Sequence, residues 1–234
     1  MTAPTSPVAV AIMAKAPLAS QVKTRLCPPL SPDEAADLYR CFLLDKMEQV
    51  RALARARPVV AYAPADSREI FAALAPDLAL LPQEGPDLGV RLTGILERLL
   101  ESGHEGALAI DSDTPTLPVT LLQQAVDRLT DRDIDAVVGP TEDGGYYLIG
   151  VRAPHPELFV EMPWSTPDVL AETTDRARRH GLRLVQLATW HDVDTPEDLD
   201  RLRGELAGTD GFLAPHTRRF LQRSGAVGAR TPGA

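Results

Sequence analysis

Apolar and polar positions along the chain switch between two periods, and each switch marks an element. Val8 to Met13 is a short, nearly all-apolar run of the kind that forms a strand buried on both faces of a parallel sheet. Ala14 to Pro29, with three prolines and three cations, reads as loop. Ser31-Pro32-Asp33-Glu34 then supplies an N-cap, a first-turn proline and acids at the positive end of a helix reaching to about Arg55. Val59 to Ala63 reads as strand, Asp66 to Leu74 as helix and Leu78 to Leu81 as a short strand. Leu88 to Glu101 repeats apolar residues at Leu88, Leu92, Ile95, Leu96, Leu99 and Leu100, the stripe of an amphipathic helix. A strand ending at Asp111 follows, then a helix over about Val119 to Leu129, a strand from Ile134 to Val138 and an inserted strand from Tyr146 to Val151. A helix from about Pro167 to His180, a strand from Leu182 to Leu187 and a helix from Pro196 to Leu206 complete the pattern.

Strands alternating with helices in this way predict an α/β fold, a three-layer sandwich whose mostly parallel sheet is covered on both faces through right-handed crossovers. No internal repeat is present. A chain of 234 residues with 44% hydrophobic content has room for one large core, assigned to residues 1–207. Residues 208–234 form an extension in which Thr217 to Leu221 could dock as a short helix and Ser224 to Ala234 reads as a disordered tail.

A net charge of -9 argues against a general nucleic-acid surface, which needs clustered Lys and Arg. No apolar run approaches the roughly 20 residues of a membrane span, and the N-terminus lacks a basic stretch followed by an apolar core. A cytoplasmic protein without a nucleic-acid partner is the expectation; the oligomeric state leaves no signature. Cys27 and Cys41 lack metal spacing and are expected as free thiols. Against the acidic background, Lys15, Lys23 and Arg25 share one early loop with no acid among them, an arrangement suited to a small anionic ligand.

Acids recur where strands end. Asp111-Ser112-Asp113-Thr114-Pro115 places two carboxylates at i and i+2, on one side of an extended chain, and hard oxygen donors so placed suit Mg²⁺ or Mn²⁺. Asp143 and the pair Asp192 and Asp194 lie beyond two further strands. In an open α/β sheet the carboxyl ends of the strands border the ligand crevice, so these acids should converge on one cleft. Asp113 and Asp194 also suit helix caps, near Pro118 and at Pro196, and one of Asp192 and Asp194, not both, is expected to contact metal. The turn Asp143-Gly144-Gly145 suits positive φ and close ligand approach, with Tyr146 and Tyr147 offering a stacking face and a hydroxyl; the alternative is an ordinary hairpin turn with one tyrosine in the core. Trp164-Ser165-Thr166 is read either as a second acceptor contact or as a helix cap with a packed indole.

Taken in order, Lys23-Thr24-Arg25-Leu26, Asp87-Leu88-Gly89-Val90-Arg91-Leu92, Asp111-Ser112-Asp113-Thr114-Pro115, Gly139 to Tyr147, Trp164-Ser165-Thr166 and Asp192-Val193-Asp194-Thr195 resemble the GT-A-fold family of transferases associated with radical-SAM and selenodomain proteins, described as arsenosugar-biosynthesis-type glycosyltransferases. The resemblance covers about residues 7 to 206. The chain is also similar, more distantly, to 2-phospholactate and molybdenum-cofactor guanylyltransferases. Two departures stand out: Asp111 and Thr114 where the family usually has Gly and Cys, and no glycine at Ala19 or Ser20 in the first loop.

The resemblance implies a nucleotide-diphospho-sugar transferase fold of GT-A type and a divalent ion, Mg²⁺ or Mn²⁺, bridging donor phosphates to Asp113, with Asp111, Asp192 and Asp194 as further candidate ligands. Lys15, Lys23, Arg25, Gln83, Gly89 and Arg91 are the expected nucleotide contacts. Asp143, Gly144, Gly145, Tyr146, Trp164 and Ser165 are the expected acceptor contacts, and Asp113, Lys23, Arg25 and Asp143 the expected catalytic groups. The expected activity is transfer from a nucleotide-activated donor to a small-molecule acceptor, glycosyl transfer first and nucleotidyl transfer with release of pyrophosphate second. A third reading is a nucleotide-binding module without turnover, which would have no need to keep mutually repelling carboxylates in one cleft.

Overall fold

A computed structural model of the protein describes residues 8–208 and 213–223. The element order is β1 (Val8–Lys15), α1 (Pro32–Arg51), β2 (Ala56–Ala63), α2 (Arg68–Leu74), β3 (Ala79–Pro82), α3 (Leu88–Glu101) and β4 (Gly106–Ile110). It continues through α4 (Val119–Thr130), β5 (Ala136–Pro140), β6 (Tyr146–Val151), α5 (Val169–Arg179), β7 (Leu184–Gln186), α6 (Pro196–Gly208) and α7 (Pro215–Arg223). One seven-stranded sheet runs β3-β2-β1-β4-β6-β5-β7. Every neighbouring pair is parallel except those made by β6, which lies antiparallel between β4 and β5. The mostly parallel sandwich is therefore the observed architecture, and the strand expected as an insertion is a central member of the sheet.

Alternation along β1 builds two cores. Val8, Val10, Ile12 and Ala14 face the layer that includes α1, α2, α4, α6 and α7, where Phe42, Phe71, Leu122 and Leu202 are buried. Ala9 and Ala11, joined by Ala61, Ala107 and Ala109 of the neighbouring strands, face α3 and α5. Small side chains on this second face let α3 lie close to the sheet with Leu92, Ile95, Leu96 and Leu99. On β6 a Cβ at Gly150 would lie 2.3 Å from the Leu108 side chain, so the central antiparallel strand fits beside β4 only with glycine there.

Local sequence sets the helix ends that border the cleft. Ser31 accepts from Glu34 N (3.3 Å) while Glu34 accepts from Ser31 N (2.8 Å), a reciprocal cap that starts α1, with Pro32 at its first position. Asp87 caps α3 by accepting from Val90 N (2.9 Å). The short piece beyond residue 208 forms α7, whose start is held by Asp45 of α1 through His216 N (2.9 Å), Thr217 N (2.9 Å) and Thr217 Oγ1 (2.6 Å). The stretch from Ser224 to Ala234, expected as a tail, lies outside the described residues. Among the described residues no helix is long and apolar enough to cross a membrane.

Candidate active site

The loop after β1 begins against β2, with Ala16 N donating to Ala63 O (2.7 Å). Ser20, at a position where the resembling family has glycine nearby, takes φ of +63°, so the left-handed bend survives without the residue that adopts it most readily. Lys23 follows at φ +49° and opens a single 3-10 turn, Thr24–Leu26. Its side chain turns inward and is only 5% exposed, whereas that of Arg25 is 69% exposed. The Lys23 Nζ lies 2.6 Å from Asp113 Oδ1 and 2.7 Å from Asp194 Oδ1, with the rings of Tyr39 and Phe42 centred 5.9 and 5.8 Å away. Burial alone would lower its pKa, but the charges of Asp113 and Asp194 more than offset this and hold the ammonium well above its ordinary range.

The Asp111-Ser112-Asp113-Thr114 loop at the end of β4 is fixed from below by α1. Ser112 is buried, donates to Met13 O (3.1 Å) and meets the Tyr39 hydroxyl at 2.8 Å; that hydroxyl also accepts from Lys15 N (3.0 Å). Lys46, fully buried in the middle of α1, donates to Thr114 O (2.9 Å) and Thr114 Oγ1 (2.8 Å), and its Nζ is 3.7 Å from Asp111 Oδ1. Thr114 Oγ1 in turn donates to Asp111 Oδ1 (2.6 Å). Burial pushes the Asp111 carboxyl up to about 7, against the opposing pull of Lys46, and burial lowers Lys46. The two acids of the Asp-x-Asp pair are thus held by different cations.

The third acidic segment is carried in by sheet pairing. Trp190 bridges to Thr141 beyond the end of β5, and Val193 N donates to Asp113 O (3.0 Å), which sets Asp192 and Asp194 beside the β4 loop. The start of α6 is capped by Thr195 and Asp198: Asp198 N donates to Thr195 Oγ1 (3.3 Å), while Asp198 Oδ2 accepts from Thr195 N (2.7 Å) and Asp194 N (3.0 Å). The Asp194 carboxylate is consequently free of the cap and reaches Lys23. Burial, then the charges of Asp194 and Asp143, raises Asp192 to about 6.

The turn between β5 and β6 is tied to the segment before α5. Asp143 Oδ1 accepts from Thr141 Oγ1 (2.5 Å) and Gly145 N (3.0 Å), closing the turn with one carboxylate oxygen. Gly144 has φ of +90°, and a Cβ there would stand 2.1 Å from Pro167 O, so this glycine answers both to the turn and to a close backbone approach. Tyr146 meets Trp164 edge-on, ring centroids 6.3 Å apart. Tyr147 goes the other way, into the core, where its hydroxyl donates to Ala188 O (3.0 Å).

Three adjoining cavities follow the strand ends. One of about 340 Å³ is lined by Lys15, Gln21, Ala63, Gln83, Gly85 and Arg91 among others. A second, about 250 Å³, shares Lys15 and Gln21 with the first and adds Lys23, Tyr39, Ser112, Asp113 and Asp194. The third, about 420 Å³, shares Asp113 and Asp194 and adds Arg25, Asp111, Asp143, Gly145, Tyr146, Trp164, Ser165 and Asp192. Most of the residues singled out from sequence therefore share one continuous cleft. Gly89 and Gly144 line none of the three. A Cβ at Gly89 would lie 2.4 Å from Phe159 O and 3.0 Å from Trp164 Nε1, so this glycine lets the first turn of α3 close on the segment that carries Trp164. Arg91 reaches back to Gly85 O (3.2 Å) and Gln83 donates to Ala61 O (2.7 Å) and Ala14 O (3.2 Å), so both brace the first cavity as well as lining it.

Sequence reasoning passed over Tyr39 and Lys46. Lys46 was detectable: it falls on the buried stripe of α1 with Tyr39, Phe42, Leu43 and Val50, where a charged residue is out of place. A separate group, Asp45, Glu48 and His216, has the donor set of a metal site, but its atoms serve α7: Asp45 caps that helix, and His216 Nε2 lies 2.8 Å from Glu48 Oε1.

Fold and cleft together define a nucleotide-diphospho-sugar transferase architecture. A solved structure from Desulfovibrio desulfuricans G20, provisionally described as a nucleotide-diphospho-sugar transferase, superposes with a TM-score of 0.88 at 34% identity, covering 95% of this chain and 96% of that one. Within that architecture the chain belongs to the family described as "Uncharacterized protein conserved in bacteria (DUF2064)", whose profile matches residues 46–166, a span that includes Asp111, Asp113, Asp143 and Trp164. The 2-phospho-L-lactate guanylyltransferase of Haloarcula marismortui is 29% identical over 215 residues, 88% of each chain. A cytidylyltransferase from Leptospira borgpetersenii shares the fold at a TM-score of 0.59 and 13% identity, over 97% of this chain and 99% of that one.

Proposed function

We propose that the protein is a metal-dependent transferase that takes a nucleotide-activated donor and passes a glycosyl group to a hydroxyl of a small acceptor. The observation that carries this reading is the division of the cleft: Lys15, Arg91 and Gln83 line one end, five carboxylates line the other, and Asp113 and Asp194 stand where the two meet. Cations and an amide at the first end suit the nucleotide of the donor. The second end, whose lining includes Arg25 as its one cation, suits an uncharged hydroxylated acceptor better than a phosphorylated one.

Asp113 and Asp194 already converge on a single positive centre, the Lys23 ammonium, and their hard oxygen donors fit Mg²⁺ or Mn²⁺. Held by these two, such an ion would neutralise charge on the donor phosphates and on the departing nucleotide. Arg25, exposed at the rim with its guanidinium 3.9 Å from Asp194, would meet the same phosphates. Asp143 commits one oxygen to its turn and keeps the other for the acceptor hydroxyl, to orient it or take its proton as the bond to the donor forms. Asp111, anchored by Lys46 and Thr114, shapes the cavity wall beside Asp113.

A second reading, nucleotidyl transfer from a nucleoside triphosphate with release of pyrophosphate, is favoured by the likeness over most of the chain to a guanylyltransferase. One experiment separates the two. The protein is incubated with Mn²⁺ and either sugar nucleotides or nucleoside triphosphates, and nucleoside diphosphate and pyrophosphate are measured. Metal-dependent release of nucleoside diphosphate from a sugar nucleotide supports the first reading, release of pyrophosphate the second, and release of neither overturns both.

A further inference from the structure

The position between Asp113 and Asp194 is claimed twice. The proposed function gives it to a divalent ion, yet the structure fills it with Lys23, whose Nζ is 2.6 and 2.7 Å from the two carboxylates. These are contact distances: an ion bound to the same oxygens at about 2.0–2.1 Å would sit against the ammonium, and two cations cannot share that space. The arrangement is also built. Lys23 comes from the loop after β1, Asp113 from the end of β4 and Asp194 from beyond β7, with Lys23 and Asp194 171 residues apart in sequence. The ring centroids of Tyr39 and Phe42 lie 5.9 and 5.8 Å from the ammonium. Asp113 and Asp194 remain 37% and 38% exposed, open to the cavity from which a metal or a phosphate would arrive.

From this geometry we infer that Lys23 is a resident counter-ion for the metal site: in the ligand-free protein its ammonium stands in for the divalent ion, and loading of the site is an exchange of one cation for the other. The inference rests on the reading of Asp113 and Asp194 as the metal pair. Without Lys23 two facing carboxylates would repel across an empty site, which the fold avoids by supplying its own cation. A new partner for the ammonium favours the exchange, and the phosphates of a nucleotide entering the adjoining cavity, which Lys15 and Lys23 line, are chemically suited to that role. Nucleotide and metal then favour each other reciprocally, since each removes an obstacle to the other. Metal alone binds weakly, because it must displace a buried ammonium from both carboxylates.

Metal titration of the nucleotide-free full chain tests this directly, with the free Mn²⁺ signal in electron paramagnetic resonance as the readout. Lys23→Met is expected to bind Mn²⁺ at least tenfold more tightly than the wild type, and Asp113→Asn to bind it more weakly than either. Equal or weaker Mn²⁺ binding by a folded Lys23→Met protein overturns the exchange, while a loss of Mn²⁺ affinity in Asp113→Asn leaves the metal pair in place. Mn²⁺ binding indifferent to Asp113→Asn overturns the metal pair and the exchange with it. A second measurement needs no variant: acetic anhydride labelling read by mass spectrometry should find the Lys23 amine protected in metal-free wild-type protein and reactive at saturating Mg²⁺. Unchanged protection of Lys23 under saturating Mg²⁺ overturns the exchange.

Discussion

Two buried lysines meet the same acidic loop from opposite sides. Lys46 rises from the middle of α1, is wholly buried and satisfies a backbone carbonyl and a hydroxyl of Thr114, with the Asp111 carboxylate at 3.7 Å. Lys23 descends from the loop after β1 and meets two carboxylates that are more than a third exposed. Burial lowers the pKa of the first lysine, while the carboxylates raise that of the second. The contrast separates a cation that holds the loop's shape from one that balances its charge. Lys46 has no alternative partner in solvent, whereas the partners of Lys23 can rehydrate or take up another cation.

The largest effect that sharpens this contrast concerns stability. Lys46→Met leaves the Thr114 carbonyl and Asp111 without their buried partner and should cost about 3–5 kcal/mol of unfolding free energy. Lys23→Met should cost less than half as much, because Asp113 and Asp194 regain water. Urea unfolding of both variants decides the matter, and equal losses would erase the distinction.

Turnover should separate the two acids in the same way. Asp113→Asn is expected to lower turnover about 100-fold, or ~2.7 kcal/mol, and Asp111→Asn about 10-fold, since only Asp113 shares a cation with Asp194. Steady-state rates at saturating Mn²⁺ measure both. A larger loss at Asp111 would transfer the principal role to the acid held by Lys46.

A smaller effect is expected at the rim. Arg25→Ala should weaken binding of a di- or triphosphate nucleotide by about 1.5 kcal/mol and leave binding of the bare nucleoside unchanged, as calorimetry can show. Equal losses for nucleotide and nucleoside would make this part of the loop a packing element.

The smallest effect is a pH dependence. Asp192 and Asp111 are raised to about 6 and about 7 from an ordinary value of 3.8, so the folded protein keeps protons that the unfolded chain has released above pH 4. Their contribution to stability is therefore full below the ordinary value of 3.8, declines as pH rises toward 7 and is flat above it. Relative to the wild type, Asp192→Asn should gain stability between pH 4.5 and 7.5, measured by unfolding at a series of pH values. A constant difference across that range would mean that Asp192 titrates at its ordinary value.

Much of the framework was legible along the chain. Hydrophobic period alone located the strand Tyr146–Val151 and the helix Leu88–Glu101 at their observed bounds, because strand and helix periods are local properties of a few successive side chains. Acids at the ends of the strands marked the cleft for a similar reason, since topology places those ends along one edge of the sheet. Three things lay beyond the sequence. The antiparallel strand β6 sits between β4 and β5, a matter of pairing between segments that no local period encodes. Gly89 and Gly144 answer to the backbone of Phe159 and Pro167, contacts that exist only once α3 and the β5–β6 turn have closed on those segments. The partners of the lysines were hidden for the same reason. Whether a cation faces phosphate, solvent or carboxylate depends on which strand ends the sheet brings together, and across 171 residues only the tertiary structure could set Lys23 against Asp194.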